Sequence, residues 1–245
     1  MKTRIFSSLV IVLIVFQSFG QELSPYVKIG ESTLPIEEVA KKVTAVLQAD
    51  SYTVLGSYTP AQNKNLKVIA FTRDDLKNTV VKVTDRGALA ATFKVGMVET
   101  NGKVVVSYTN PDYILRAYLG SNYGTFISTF KKFSEDLKTT FAPIGTDFTP
   151  FGGTVKDDKL KKYHYKIMMP YFTDPVHLNE YASFEEGLAL IERNLKAQKG
   201  QTVQVYKLVY PEQKVAVFGV GLMSAEDGEA HFLPKIGEAH VAALP

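Results

Sequence analysis

The residues best suited to chemistry stand in two copies of the four-residue motif Gly-Glu-Ala-His. The first copy contains Glu229 and His231, and the second contains Glu238 and His240. In an extended strand, residues two apart point to one face, so each glutamate would project beside its histidine. A bend near Pro234 would bring the pairs together, and two carboxylates with two imidazoles suit Zn²⁺, Mn²⁺ or Fe²⁺. The motif therefore predicts a divalent transition-metal site, and a metal-dependent enzyme becomes one hypothesis for function.

The same four residues also have a simpler interpretation. A glutamate and a histidine on one face of a strand can share a hydrogen bond at a sheet edge. So short a repeat also arises by chance in a short stretch of chain. Nothing in the spacing alone holds the two pairs at the roughly 2 Å ligand distances that a metal site requires.

A second pair of histidines flanks a predicted turn. Residues 163–169 alternate like a strand, turn near Pro175, and are predicted to return over residues 176–181. His164 and His177 would approach each other across this hairpin, although a solvent-exposed face is the favoured interpretation. The sequence contains no Gly-x-Ser-x-Gly elbow, no Gly-x-x-x-x-Gly-Lys loop and no His-Glu-x-x-His motif. It therefore assigns no catalytic and no cofactor-binding residue.

Residues 1–20 have the pattern of an export signal. Lys2 and Arg4 precede an apolar run over residues 9–16. The small residues that follow favour cleavage by a signal peptidase before Gln21. The run is shorter than the roughly 20 residues of a membrane span, so no span is expected after cleavage. An uncleaved N-terminal anchor is the alternative. The pattern predicts a periplasmic or secreted protein.

Composition excludes several classes of function. The formal net charge is +3, of which Lys2 and Arg4 supply two charges, so no basic excess favours nucleic acid or anionic lipid. The chain has no cysteine, which excludes disulfides, thiol nucleophiles and thiolate metal sites. An exported protein without cysteine fits a bacterial periplasm better than a eukaryotic secretory route. A hydrophobic content of 45% predicts a well-formed core.

A helix–strand–strand pattern occurs twice and organises the chain. The predicted helices over residues 35–47 and 183–195 share their apolar spacing and a Glu-Glu pair in the first turn. Two predicted strands follow each helix, and a proline lies in the turn between them. The strands are residues 52–58 and 66–71 after the first helix, and residues 202–210 and 214–220 after the second. This internal repeat predicts two related units.

Between these repeats the sequence predicts further elements and a domain boundary. Asn101-Gly102 indicates a two-residue hairpin turn, and an aromatic stripe over residues 125–141 indicates an amphipathic helix with a core face. The Gly-, Pro- and Thr-rich stretch that follows has no periodicity. The predicted boundaries are a signal peptide at 1–20, a first α+β unit at 21–141, a linker at 142–162 and a second, partial unit at 163–245. The apolar ending over residues 241–245 predicts a terminal strand buried in a sheet, or a chain that continues.

The first half, residues 26–141, resembles the bacterial domain of unknown function family 302. The resemblance is carried by the helix from Pro35, the strand pair ending at Thr72, the helix from Asp74 and the valine-rich hairpin over residues 94–111. It implies a TBP-like α+β fold in which antiparallel sheets have helices packed on one face. The internal repeat extends this to two related TBP-like units.

The chain departs from that family at the entrance to the hairpin. Many members have a Pro-Cys pair there, whereas this chain has Ala91-Thr92-Phe93. Any chemistry that relatives perform with that cysteine is absent here. The family has no settled activity to transfer.

The leading hypothesis for function is an exported, non-enzymatic protein that binds a small molecule or another protein. Its site would lie at the junction of the two units or along the sheet face opposite the helices. A structural envelope protein or a homodimer is a third hypothesis, beside the metal-dependent enzyme. The aromatic side chains expected to line a groove are Tyr163, Tyr165, Tyr171, Phe172, Tyr206 and Tyr210.

Overall fold

The computed structural model describes residues 21–84, 86–160, 163, 168, 174 and 176–245. The predicted export signal lies outside these residues. In the described chain the strands are β1 (Glu22–Leu23), β2 (Tyr26–Ser32), β3 (Thr53–Tyr58), β4 (Leu66–Thr72), β5 (Phe93–Thr100), β6 (Lys103–Thr109), β7 (Thr149–Phe151), β8 (Val155–Lys156), β9 (Thr202–Tyr210) and β10 (Val215–Leu222). The α-helices are α1 (Ile36–Ala49), α2 (Asp74–Val80), α3 (Pro111–Leu119), α4 (Ile127–Phe141), α5 (Asp157–Leu160), α6 (Phe184–Lys196) and α7 (Glu229–Ile236). Short 3-10 segments span Pro60–Gln62, Gly87–Ala91, Gly120–Phe126 and Glu238–Ala243.

A six-stranded antiparallel sheet forms the frame, in the order β3-β4-β5-β6-β2-β7. The tight turn between β5 and β6 fixes the register at its centre, because Thr100 pairs directly with Lys103. Asn101 and Gly102 have φ values of 52° and 74°, the left-handed conformation that two-residue hairpin turns require. The hairpin predicted from Asn101-Gly102 is therefore confirmed.

One face of this sheet carries the main core. Helix α1 turns Val39, Val43 and Leu47 inward, and these are the apolar positions that its 3.6-residue spacing predicts. The aromatic stripe of α4 is buried in the same core, where Phe130 and Phe133 have no exposed surface. Helices packed on an antiparallel sheet confirm the predicted α+β class.

The second helix–strand–strand segment forms a hairpin of β9 and β10 with α6 beside it. The hairpin packs against β3 at Gly56, where an added Cβ would lie only 1.9 Å from the backbone oxygen of Val205. A glycine is therefore required for this close approach. Both halves contain the predicted α-β-β order, while the relation between them as a repeat stays a prediction.

Several local expectations need correction. The segment 142–162, predicted as a linker, contributes β7 to the edge of the main sheet, and its β8 pairs with β1. Residues 176–181, predicted as a return strand, have no strand structure. The apolar ending is buried as expected, but as a 3-10 segment rather than a strand. For the supposed linker and the apolar ending, tertiary packing overrides a local pattern, whereas residues 176–181 are exposed. Within the described residues, no helix has the length and apolar character needed to cross a membrane.

Candidate functional site

Strand β5 divides its side chains between the two faces of the main sheet. Phe93, Val95 and Met97 belong to the helix-side core. Lys94 and Val98 alternate with them and therefore point to the opposite face. This second face is less uniformly apolar than the helix-side core.

The C-terminal part of the chain covers the middle of the second face. We call residues 229–244 the C-terminal cover. At Gly96 an added Cβ would lie 2.7 Å from Val241 Cγ1 and 2.8 Å from the backbone nitrogen of Ala242. The cover therefore rests directly on the backbone of β5. Cover and sheet share one apolar cluster, formed by Leu66, Val68, Val98, Leu233, Val241 and Leu244.

A buried carboxylate fixes the beginning of the cover. Glu229 is only 1% exposed. Its Oε1 accepts a hydrogen bond from the Tyr58 hydroxyl at 3.1 Å, and its Oε2 accepts one from the backbone N–H of Ala61 at 2.9 Å. The backbone N–H of Leu222 donates a third bond at 3.3 Å. Burial first, and then the Glu229 carboxylate, raise the pKa of Tyr58, which therefore stays a proton donor to this glutamate.

A pocket of about 500 Å³ lies between the cover, β5 and α3. We call it the Lys94 pocket. Lys94 lines it together with Thr92 and Thr109. The backbone N–H of Lys94 donates to Thr109 Oγ1 at 3.0 Å, so this threonine hydroxyl holds the strand edge beside the lysine. The remaining walls are aromatic and aliphatic, and include Tyr26, Leu89, Tyr113, Ile114, Tyr118, Tyr163, Ile236 and His240.

The ammonium of Lys94 has no counter-charge among the described residues of this pocket. None of the described residues that line it is acidic. Burial lowers the pKa of Lys94 from its ordinary value to about 8, because the charged form loses hydration. The residue is partly exposed and lines the pocket. An ionisable group poised near neutral pH in an apolar cleft is typical of a functional site.

Aromatic side chains around the lysine keep their protons. Burial raises the pKa of Tyr26 to about 12 and that of Tyr113 to about 12, so both phenols remain hydrogen-bond donors at neutral pH. The ring of His240 lies 5.3 Å from that of Tyr26 and 6.0 Å from that of Phe151. Its Nδ1 donates to the backbone oxygen of Ile236.

A second hollow of about 400 Å³ lies on the other side of the cover. It also contains a lysine, Lys28, but there the ammonium is paired. Lys28 Nζ lies 3.0 Å from Glu31 Oε1 and 3.3 Å from Asp147 Oδ2. Because its charge is satisfied, Lys28 provides a matched control for Lys94 on the same face of the sheet.

The predicted metal ligands are not brought together. Glu229 begins α7 rather than a strand, so it does not share a strand face with His231. His231 Nε2 lies 2.6 Å from Lys235 Nζ, and Glu238 Oε1 accepts from Asn63 Nδ2 at 3.2 Å. Among the described residues, no group of three or more acidic or histidine side chains is arranged to hold a metal. The strand geometry that supported this site is wrong, because Glu229 and Leu233 are buried at helical spacing.

The second histidine group and the aromatic groove have mixed outcomes. His164, Tyr165, Tyr171 and Phe172 lie outside the described residues. His177 is exposed and lies 3.7 Å from Glu180. Two tyrosines assigned to the groove, Tyr206 and Tyr210, are instead buried in the main core. Of the predicted groove residues, Tyr163 does line the Lys94 pocket.

Sequence reasoning missed Lys94 because it occupies a polar position in an alternating strand. Such a lysine normally points to solvent. The signal that marks it is its neighbour Gly96, two residues along on the same face. A glycine inside a strand indicates close approach of another backbone, and therefore a covered face.

The chain matches no family model, and no curated protein or solved structure is detectably similar to it. The resemblance to family 302 therefore stays a prediction. The described residues form an α+β fold, and one of its ligand-sized clefts contains a lysine with no acidic residue among the described lining.

Proposed function

We propose that the protein is an exported, non-enzymatic module that binds a small molecule in the Lys94 pocket. The ligand combines an apolar or aromatic body with one head group that accepts hydrogen bonds from Lys94. The observation that carries the proposal is the Lys94 ammonium, enclosed without a counter-charge from the described residues. A largely desolvated cation without a partner destabilises the fold, and an acceptor on a ligand would offset that cost.

The pocket has the size and chemistry of a small-molecule site. Its volume of about 500 Å³ lies within the usual range of roughly 300–1,000 Å³ for such sites. Tyrosine rings such as Tyr26 and Tyr113 present apolar faces together with a polar edge, which suits a ligand with an aromatic body. A few polar groups in a mostly apolar wall would orient that ligand.

Export is part of the proposal and is supported by the N-terminal sequence pattern. The basic residues, the short apolar run and the small residues before Gln21 are typical of a cleaved signal. The intact mass of the exported protein tests this point, because the mature chain should begin at Gln21. A mass that retains Met1 would contradict it.

The binding proposal is tested with 4-phenylbutyrate and with its uncharged analogue 4-phenylbutanol. The carboxylate should raise the melting temperature in proportion to the logarithm of its concentration, and by more than the alcohol does. Lys94→Met should remove the advantage of the carboxylate. Lys28→Met should keep it, because Lys28 lies in the other hollow and has its own partners.

Isothermal titration calorimetry then measures the same preference directly. Equal binding to the wild type and to Lys94→Met would contradict the proposal, as would binding that only Lys28→Met abolishes. Far-UV circular dichroism of both variants establishes that each has folded before the ligands are compared.

A further inference from the structure

Lys94 supplies a primary amine in a state that ordinary lysines rarely reach. With its pKa lowered to about 8 by burial, about a quarter of the amine is neutral near pH 7.5. A solvated lysine under the same conditions is neutral to roughly 0.1%. The neutral form is the nucleophile, and a desolvated lysine in an apolar pocket is activated in this way.

Among the described residues that line the pocket, none is acidic and none supplies a second amine. The titratable side chains that line the pocket with it are Tyr26, Tyr113, Tyr118, Tyr163 and His240. Burial raises the pKa of Tyr26 and of Tyr113, so these phenols stay protonated while the amine loses its proton. The phenols can therefore donate to a ligand oxygen without removing the reactive form of the lysine. No other lysine is among the described lining residues.

We propose that Lys94 captures small apolar or aromatic aldehydes reversibly, as an imine on its Nζ. This inference rests on the proposed function, because it uses the same pocket and the same orientation of ligand. It names the head group as a carbonyl and makes the binding covalent.

The reaction is balanced without a further reagent. The neutral Nζ attacks the aldehyde carbon, and the carbonyl oxygen takes up the proton that the nitrogen releases. The resulting carbinolamine loses its hydroxyl together with the remaining N–H proton as water, and a C=N bond replaces the original C=O bond. Aldehyde and amine thus give imine and water, and hydrolysis returns both. The tyrosines of the lining supply phenolic O–H donors for the oxygen as it develops charge.

The inference is tested by trapping the imine with sodium cyanoborohydride. The protein is incubated with limiting 3-phenylpropanal, and the products are measured by intact mass and by peptide mapping. Lys94 should be alkylated at least about tenfold faster than Lys28, in line with its larger neutral fraction. Lys94→Arg should remove this fast phase and leave the slow modification of surface lysines. 3-Phenylpropanol should slow the labelling of Lys94 in the wild type, which tests the pocket without any substitution.

The pH dependence gives an independent measurement. The initial labelling rate of Lys94 should level off above its own pKa of about 8, whereas that of Lys28 should still be rising there. Labelling spread evenly over surface lysines, or unchanged in Lys94→Arg, would overturn the inference. If 4-phenylbutyrate binds in a Lys94-dependent way but no fast labelling occurs, the covalent step is wrong and the binding proposal stands. If neither occurs, both are wrong.

Discussion

The two faces of the six-stranded sheet are built from alternate residues of the same strands, yet they differ in kind. On the helix side, Phe93 meets the rings of Phe71 and Phe133 at centroid distances of 6.3 and 5.1 Å. On the other side, the next residue, Lys94, has no charged partner in the described chain. Phe93 thus packs in the core and stabilises the fold. Its neighbour Lys94 is a destabilising charged group beside a pocket. The helix-side face therefore contains the main core, and the opposite face carries the pocket.

The largest effect is expected from a cavity on the helix side. Phe93→Ala removes a ring with no exposed surface, and we expect it to lower the free energy of unfolding by about 3–5 kcal/mol. Urea unfolding measures this change. Leu222→Ala is the control, because Leu222 is 42% exposed and should change stability by no more than about 0.5 kcal/mol. Similar losses in the two variants would remove the distinction between core and surface.

On the opposite face, removing the charge of Lys94 should raise the free energy of unfolding. The pKa of Lys94 is about 8 in the folded protein and should be near 10.5 in the unfolded chain. Between these values the unfolded chain binds more protons, so the free energy of unfolding rises with pH. Lys94→Met should therefore be more stable than the wild type below about pH 8, by up to about 3 kcal/mol. This advantage should shrink steadily and vanish near pH 10.5.

Urea unfolding of both proteins across this pH range measures the difference in their free energies of unfolding. The titration of the tyrosines contributes equally to both proteins and therefore cancels in this difference. A constant difference at all pH values would show that Lys94 has an ordinary pKa. It would also place the lysine in contact with bulk water, and so remove the contrast between the two faces.

The smallest effect should come from lifting the cover. Gly96→Ala places a Cβ within 2.7 Å of Val241, and we expect a loss of about 1–2 kcal/mol from overpacking. Hydrogen exchange should accelerate in residues 238–244 and stay unchanged in α1 and α4. Gly124→Ala is the control, because an added Cβ there meets nothing within 4 Å. Faster exchange in the helices would instead indicate that the two faces unfold as one unit.

Elements fixed by local chemistry could be predicted from the sequence. Asn101-Gly102 forms its turn because the two residues themselves tolerate positive φ. Likewise, Val39 and Val43 occupy one stripe of α1 whatever the rest of the chain does. Such signals lie within a few residues of the structure that they specify.

The site depends on contacts that no local pattern encodes. Glu229 looks like half of a strand pair because Gly-Glu-Ala-His fits a period of two, but its real partners, Tyr58 and Ala61, lie far away in the sequence. Lys94 similarly looks solvent-exposed until the cover is placed over Gly96. Its lowered pKa is a property of the assembled pocket and cannot be assigned from β5 alone.

The position of the cover also has a kinetic consequence. Lys94 and the residues that close its pocket, such as Ile236 and Ala242, are separated by more than half of the chain. Contacts of such long sequence separation carry a high loop-closure entropy and form slowly. The pocket is therefore expected to form later than local hairpins such as that of β5 and β6. Ligand binding would then report the completion of folding.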